Sequence, residues 1–436
     1  MKRFIILLAV ILLIFQVSAQ ENEGNIRKIT VDDAVILAAD NNISLKRQKI
    51  SLDTLERRNN LAWNSAIPSA SVSGSISKPL DGIATEMEPQ IDYTYQVGAS
   101  ASLRLTPALY TAIRDAMLKF ESGKTSYEEA VRQVELNVRK LFYNLLYTKE
   151  SINLQKRNLE TARTRFENNR DKYNRGQLSE LDLLQSQYNY ESLKPSIESA
   201  EIAYQNSLAS FKQTLGISQN EKIELSGTLY EAIPSDTITI TQSLDEMPSI
   251  KRIKANIEQQ KNLLLGTRFS AYGPTVSASY SWGLSGNDKT EELKQHQESH
   301  SLSLGVSIPL DGYIPWSTGA QSVRNQKDTI KDLELQLENE RTTAELSVQN
   351  SVKNIVQKQG QMELLDRNVE LAQKSYDMTL TAYNHGSKDL LTLKNASDAL
   401  LKAKTDRELH IFNLLSAVLD LENTLGIPFG TLCDNR

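Results

Sequence analysis

Residues 173–184 read YNRGQLSELDLL and residues 383–394 read YNHGSKDLLTLK, so one pattern stands twice, 210 residues apart. The tetrapeptide Thr-Leu-Gly-Ile, at 214–217 and 424–427, keeps the same separation. Similarity at a fixed distance indicates an internal structural repeat. We assign repeat one to about 30–217 and repeat two to about 245–427. Each is predicted to run helix, strand, loop, strand, very long helix, Gly-centred turn and helix.

The repeated pattern has the chemistry of a tight turn between two helices. Gly176 and Gly386 each follow a long helical segment, where the residue after the helix commonly adopts a positive φ that glycine tolerates best. Three residues later come Ser179 and Asp389, both good N-caps for a returning helix. The sequence therefore predicts two helical hairpins, one in each repeat.

Four segments alternate between apolar and polar residues, which is the period of a β-strand with one apolar face. They lie at 69–77, 93–105, 276–284 and 302–308, in pairs, and their polar faces are mostly Ser and Thr. Half-buried strands of a soluble sandwich are the alternative, but only four strands occur, isolated between long helices. Strands of about 9–11 alternating residues with aromatic residues near their ends also fit an outer-membrane barrel. Four strands cannot close a barrel, since about eight are the minimum, so several chains would have to contribute.

On this interpretation the apolar face contacts lipid and the serines face the lumen. The residues predicted to contact lipid are Val72, Ile76, Val97, Ala99, Val276, Tyr280, Leu304 and Val306.

A second period of seven residues runs through the long helices and indicates coiled-coil-like packing. Neither Pro nor Gly interrupts residues 125–175, a stretch that would span roughly 75 Å as one helix. The heptad positions are Val131, Val138, Leu145, Ile152, Leu159, Phe166 and Tyr173, and then Val348, Ile355, Met362, Val369, Tyr376 and Tyr383.

The composition and the N-terminal residues indicate the class of protein and its cellular location. The net charge of −5 and the hydrophobic fraction of 39% indicate no nucleic-acid-binding patch and favour extended helices over one large core. Lys2 and Arg3 precede an apolar run at 4–15 and small residues at 17–19, the pattern of a secretory signal peptide. We predict a signal peptide at 1–19 and a mature chain at 20–436. A retained anchor is the alternative. Cys433 is the only cysteine, so no lipidation is expected at the cleavage site.

Taken together, the repeat, the strand pairs, the two turns, the VSIPLDG segment at 306–312 and the paired TLGI resemble the outer-membrane efflux protein family, the TolC-like channel-tunnels. The resemblance covers nearly the whole mature chain. It implies a homotrimer in which twelve strands form one outer-membrane β-barrel and the helices form one periplasmic tunnel. Residues 218–244 would form an irregular equatorial linker, and residues 428–436 a C-terminal tail.

The resemblance also implies partners. The helical turns would meet a periplasmic adaptor (membrane fusion) protein and an inner-membrane RND or ABC-type transporter. The tip residues implied in adaptor docking are Gly176, Gln177, Ser179, Leu181, Gly386, Ser387, Asp389 and Leu391.

The family's gate residues match positions in this chain. By resemblance, Tyr383 and Lys388 would bond Asp182 and hold the inner end of the tunnel closed. Lys388 stands where well-known relatives have Arg, so the charge remains without the bidentate fork. The inner constriction of relatives often carries acidic residues, but here those positions are Thr392 and Asn395, both uncharged.

Nothing in the sequence points to catalysis. The motifs of serine hydrolases, dinucleotide-binding domains, P-loop proteins and zinc proteases do not occur. The HQESH segment at 296–300 is predicted to be a solvated loop between strands rather than a metal site. We therefore expect no enzyme activity, no cofactor and no metal.

The predicted function is a passive outer-membrane exit duct of a tripartite efflux or type I secretion system. A structural coiled-coil protein or a periplasmic adaptor is the alternative.

Overall fold

The computed structural model of the chain describes residues 26–78, 93–232, 244–287 and 297–432. The predicted signal peptide and Cys433 lie outside the described residues. The chain divides into two compact units. Of the described residues, unit 1 comprises 26–46, 130–232 and 347–432, and unit 2 comprises 47–78, 93–129, 244–287 and 297–346.

The elements follow the predicted order in both halves of the chain, except for one additional short strand in each half and a break in the first helix. The first half contains β1 (Arg27–Ile29), α1 (Val31–Asn41), α2 (Ile43–Asn60), β2 (Ser69–Ser77), β3 (Thr94–Leu105), α3 (Ala108–Asn174) and α4 (Glu180–Leu215). The second contains β4 (Ile223–Leu225), α5 (Pro248–Tyr272), β5 (Thr275–Asn287), β6 (Gln297–Ser307), α6 (Thr318–Asn384) and α7 (Leu390–Leu425). Helices α3 and α6 have 67 residues each, and α4 and α7 have 36 each. Equivalent helices begin 210 residues apart, which confirms the structural repeat.

The core of unit 1 is built from the heptad stripe and the two returning helices. Val138 and Leu145 of α3 are buried together with Phe211 and Leu215 of α4 and Ile411 of α7. The ring centroids of Phe142 and Phe211 lie 6.2 Å apart. A seven-residue apolar spacing keeps one side of a helix facing its neighbours, so the predicted stripe is the packed face at this level of α3.

Part of the predicted irregular linker has regular structure. Strand β4 pairs in parallel with β1, and Ile29 lies opposite Leu225. Both side chains are buried in the unit 1 core. Three-residue strands are too short to reveal their period in the sequence, so burial of these two residues was not predicted.

A buried carboxylate holds the last residues of unit 1 that the structure describes. Glu422 accepts hydrogen bonds from the backbone N–H groups of Gly430, at 3.0 Å, and Leu432, at 2.8 Å. Arg132 Nη2 donates to the carbonyl oxygens of Glu422, at 3.1 Å, and Ile427, at 2.8 Å. Burial raises the pKa of the Glu422 carboxyl, and the two N–H groups, Arg139 and Arg132 oppose that rise.

Unit 2 contains a four-stranded antiparallel sheet with the order β2-β3-β5-β6. The central pairing joins the two repeats, because β3 of repeat one lies beside β5 of repeat two. None of the helices in the described part of the chain has an apolar stretch of the length that a membrane crossing needs.

Candidate functional site: the helical turns and the strand face

The two helical turns of unit 1 have the same backbone hydrogen bonds. After α3, Gly176 N donates to Tyr173 O at 2.8 Å and Gln177 N donates to Lys172 O at 2.9 Å. After α6, Gly386 N donates to Tyr383 O and Ser387 N donates to Ala382 O in the same way. This pair of bonds is a Schellman motif. The φ angles of 72° at Gly176 and 74° at Gly386 confirm the predicted positive φ.

The returning helices begin at the predicted caps. Ser179 Oγ accepts from Asp182 N at 3.1 Å, and Asp389 Oδ1 accepts from Thr392 N at 2.9 Å. Each bond satisfies an N–H group that has no partner inside the helix. The side-chain and backbone hydrogen bonds of Thr392 lower the pKa of Asp389. Asp389 therefore stays ionised at neutral pH.

The leucines at the turns divide between packing and exposure. Leu390 and Leu393 are buried, whereas Leu181 is 64% exposed and Leu391 is 60% exposed. Leu181 and Leu391 occupy equivalent positions of the two repeats. Each turn therefore presents an exposed leucine at the start of its returning helix, and Leu184 of α4 is 55% exposed as well.

Within one chain, the predicted gate residues make other contacts. Tyr383 Oη donates to Asn169 Oδ1 at 3.1 Å, and the Lys172 Nζ lies 5.9 Å from the Tyr383 ring centroid. Asp182 Oδ2 accepts from Ser179 Oγ at 2.7 Å. The charge of Lys388 helps to lower the pKa of its neighbour Asp389. The predicted Tyr383–Asp182 bond is thus not made inside this chain, and a bond between chains stays a prediction. Thr392 and Asn395 are exposed on the first turns of α7.

The contact of Asn169 with Tyr383 was not predicted from the sequence. Asn169 is buried, 1% exposed, and its amide nitrogen has no hydrogen-bond partner. The only signal in the sequence is a polar residue at a step of the heptad pattern, where an apolar one is usual. The structure makes it the partner of Tyr383, so α3 and α6 are joined at this level by a polar contact.

In unit 2, all eight residues predicted to contact lipid share one face of the sheet. The register places Val72 opposite Ala99, Val276 opposite Val306 and Ala99 opposite Trp282. Val97 and Ile76 lie an even number of residues from these pairs and so point the same way. Val72 is 81% exposed and Leu304 is 78% exposed, so no other part of the described chain covers this face.

The opposite face carries rows of hydroxyl groups. Ser69 Oγ lies 2.8 Å from Ser102 Oγ, and Ser71 Oγ lies 2.9 Å from Ser100 Oγ. Ser277, Ser279 and Ser281 continue the polar face on β5. The sheet therefore has one apolar and one hydroxylated side, as the alternation predicts.

Two aromatic residues of the apolar face, in the middle of β5, have polar partners on β6. Trp282 Nε1 donates to Glu298 Oε1 at 2.7 Å, and Tyr280 Oη lies 3.0 Å from His300 Nδ1. His296 lies outside the described residues, whereas residues 297–300 belong to β6, so the prediction of a loop at 296–300 is wrong for these four residues. In the part of the chain that is described, no cluster of three or more His, Cys, Asp or Glu side chains has the geometry of a metal site.

The fold and these sites define an α+β protein made of a tandem repeat, with a four-stranded antiparallel sheet and two long helical hairpins in each chain. A family model described as outer membrane efflux protein matches residues 35–217 and 239–426, which is most of the chain. The chain therefore belongs to the outer membrane efflux protein family. A search among curated protein sequences gives no match.

Solved structures share the fold. The Campylobacter jejuni CmeC outer membrane channel has a TM-score of 0.74 and 19% identity, covering 93% of this chain and 87% of that one. The Vibrio cholerae outer membrane protein VceC has a TM-score of 0.70 and 13% identity, covering 92% and 96%. The open state of the Neisseria gonorrhoeae MtrE outer membrane channel has a TM-score of 0.70 and 16% identity, covering 91% and 89%.

Proposed function

We propose that this protein is a passive outer-membrane exit duct, through which substrates leave the periplasm without catalysis by the duct itself. Membership of the outer membrane efflux protein family supports the proposal. The observation that carries it is the four-stranded sheet, with a continuous exposed apolar face on one side and hydroxyl groups on the other. That pattern is the one expected of strands with lipid on one side and water on the other.

The duct is proposed to be a homotrimer. Strands β2 and β6 each have one partner in the described sheet, so both edges of the sheet are open. Exposed strand edges are a liability unless they are paired, and barrels remove them. Pairing β2 of one chain with β6 of the next would give twelve strands from three chains, enough to close a barrel of more than the minimum of about eight strands.

The helical turns are proposed to dock a periplasmic adaptor, and an inner-membrane RND or ABC-type transporter would supply the energy. Leu181 and Leu391 support this assignment, because each turn exposes a large apolar side chain beside a rigid Schellman motif. Apolar side chains on a rigid support are suited to partner binding. We also propose that the protein lies in the outer membrane after a signal peptide at residues 1–19 has been removed.

Cysteine labelling tests which face of the sheet meets lipid. In a Cys433→Ser background, we expect Ser73→Cys to react with a water-soluble maleimide in intact outer membranes and Val72→Cys to be protected. Val72 is 81% exposed in the isolated chain, so its protection must come from lipid. Leu304→Cys and Ser303→Cys, on β6, repeat the comparison. Equal labelling of neighbouring positions, with the trimer intact, would refute the proposed lipid face.

Conductance in planar bilayers tests the proposed gate. We expect Asp182→Ala to raise the open fraction, because it removes the carboxylate that Tyr383 and Lys388 are proposed to bond. Glu180→Ala is the matched control, since it removes a carboxylate from the same helical turn. Thr392→Asp is expected to increase block by divalent cations. If Asp182→Ala and Glu180→Ala behave alike and Thr392→Asp changes nothing, these residues do not gate the duct.

A structural coiled-coil protein or a periplasmic adaptor remains the alternative function. Neither requires strands with a broad exposed apolar face. A soluble monomer in the periplasmic fraction would favour the alternative, and a detergent-extracted trimer from the outer membrane would favour the duct.

A further inference from the structure

The two repeats differ in how a strand is joined to the following long helix. In repeat one, β3 ends at Leu105 and α3 begins at Ala108, so two residues join them. In repeat two, β6 ends at Ser307 and α6 begins at Thr318, so ten residues join them. We call residues 308–317, which read IPLDGYIPWS, the aromatic linker.

The aromatic linker exposes large apolar side chains. Leu310 is 73% exposed, Tyr313 is 64% exposed and Trp316 is 79% exposed. Ile308 and Ile314 are also exposed. Contiguous exposed apolar surface is uncommon on soluble proteins and marks a surface that meets a partner or a membrane.

The backbone of the aromatic linker is held rigidly against α5. Gly312 is buried, and a Cβ atom at this position would lie 2.0 Å from the carbonyl oxygen of Ala271. The Tyr313 ring packs on Tyr272 with their centroids 5.2 Å apart. Tyr313 N donates to Leu310 O at 3.2 Å, which closes the turn. The exposed side chains are therefore displayed from a fixed support.

The aromatic linker continues the apolar face of the sheet. Leu302, Leu304 and Val306 lie on that face of β6, and the strand ends where Ser307 pairs with Thr275. At the other end of the same face, Tyr95 of β3 lies opposite Ile76 and Gly286, and Tyr93, two residues earlier in the chain, is 46% exposed. The aliphatic residues of this face therefore lie between Tyr93 and Tyr95 at one end and the aromatic linker at the other, with Trp282 and Tyr280 inside the band, opposite Ala99 and Ala101. Transmembrane β-barrels carry such aromatic groups at both membrane–water interfaces.

We propose that the aromatic linker lies in the interfacial layer of the periplasmic leaflet, with the rings of Trp316 and Tyr313 among the lipid headgroups and Leu310 directed into the acyl chains. The proposal rests on the proposed function, because it requires the apolar face of β6 to contact lipid. Lipid is favoured over a second copy of the chain because the linker extends that same face and ends in Trp and Tyr, the side chains that prefer a bilayer interface. The linker would fix the depth of each chain in the membrane.

Tryptophan quenching by brominated lipids tests the proposal. The chain has three tryptophans, Trp63, Trp282 and Trp316. One variant, Trp63→Phe with Trp282→Phe, leaves Trp316 as the only reporter. A second, Trp63→Phe with Trp316→Phe, leaves Trp282 in the sheet as the control. Both would be reconstituted as full-length trimers in vesicles of phosphatidylcholine with a minority of phosphatidylglycerol, brominated either near the carbonyl end or near the middle of the acyl chain.

We expect roughly twofold stronger quenching of Trp316 by shallow than by deep bromines, since indole rings lie at headgroup level. Quenching of Trp282 without quenching of Trp316 would overturn the proposal and leave the duct intact. Shielding of Trp316 from both lipid and aqueous acrylamide would overturn it in favour of a contact between copies. If bromines quench neither residue, the sheet is not in the bilayer, and the proposed function fails together with this inference.

Discussion

Gly216→Ala is expected to destabilise the protein more than the same change at Gly176, although the two glycines have nearly the same backbone conformation. Their φ angles are 70° and 72°. An alanine in this left-handed region costs about 1–2 kcal/mol. At Gly216 a Cβ atom would also lie 2.4 Å from the carbonyl oxygen of Asn41 and 2.6 Å from its carbonyl carbon. At Gly176 nothing lies within 4 Å of that position.

The end of α1 cannot move away freely, because Asn42 Nδ2 donates to Thr214 O at 2.7 Å and ties it to the end of α4. Overpacking of this kind costs a further ~1–3 kcal/mol. We therefore expect Gly216→Ala to lower the free energy of unfolding by about 2–5 kcal/mol, which is the sum of the cost of the left-handed backbone conformation and the cost of overpacking. Far-UV circular dichroism of the purified protein during heating measures both variants. Equal shifts in their midpoints would mean that the contact with Asn41 relaxes without cost.

Arg132→Met is the second substitution for which a large effect is expected. It removes a donor to the partly buried carbonyl oxygens of Glu422 and Ile427. Glu422 O keeps the hydrogen bond from Ile427 N at 3.2 Å. Only Ile427 O loses its donor, at a cost of about 1–3 kcal/mol. We expect the free energy of unfolding to fall by about 1–3 kcal/mol, with part of that loss offset because the methionine still packs. Lys140→Met is the matched control on α3. Lys140 bonds Asp420 of α7 at 2.6 Å in an exposed pair, and such pairs are worth ~0–1 kcal/mol.

The loss of stability caused by Arg132→Met should depend on pH. Burial already raises the pKa of Glu422 above its ordinary value, and Arg132 opposes that rise. Removing Arg132 should therefore raise this pKa further. A carboxyl whose pKa is higher in the folded than in the unfolded protein binds more protons when folded, so stability falls as pH rises between the two pKa values.

Unfolding of Arg132→Met and Arg132→Lys measured at neutral pH and near pH 5 checks this dependence. We expect the methionine variant to be closest to the unmodified protein at the lower pH, where Glu422 is more protonated. The lysine variant keeps the charge and should show a smaller pH effect. If Arg132→Met lowers the free energy of unfolding by the same amount at both pH values, Arg132 does not affect the ionisation of Glu422.

The features that follow from local chemistry could be predicted from the sequence alone. The positive φ at Gly176 and Gly386 and the caps at Ser179 and Asp389 depend on residues within one turn of each other. The two faces of the sheet depend only on a period of two residues, because successive side chains on a strand point to opposite sides. The repeat itself is a property of the sequence, and the equal lengths of the paired helices follow from it.

The features that required the tertiary structure join residues distant in the chain. The pairing of β3 with β5 across the two repeats, the parallel contact of β1 with β4 and the bond from Tyr383 to Asn169 have no local signal. In the sequence, Glu422 is one of many charged residues of a helix. Only its burial beside Arg132 makes its carboxylate the acceptor for the backbone N–H groups of Gly430 and Leu432. Packing of the chain removes some polar groups from water, and a buried polar group must find its hydrogen bond inside the protein. The tertiary structure therefore decides which polar groups become partners.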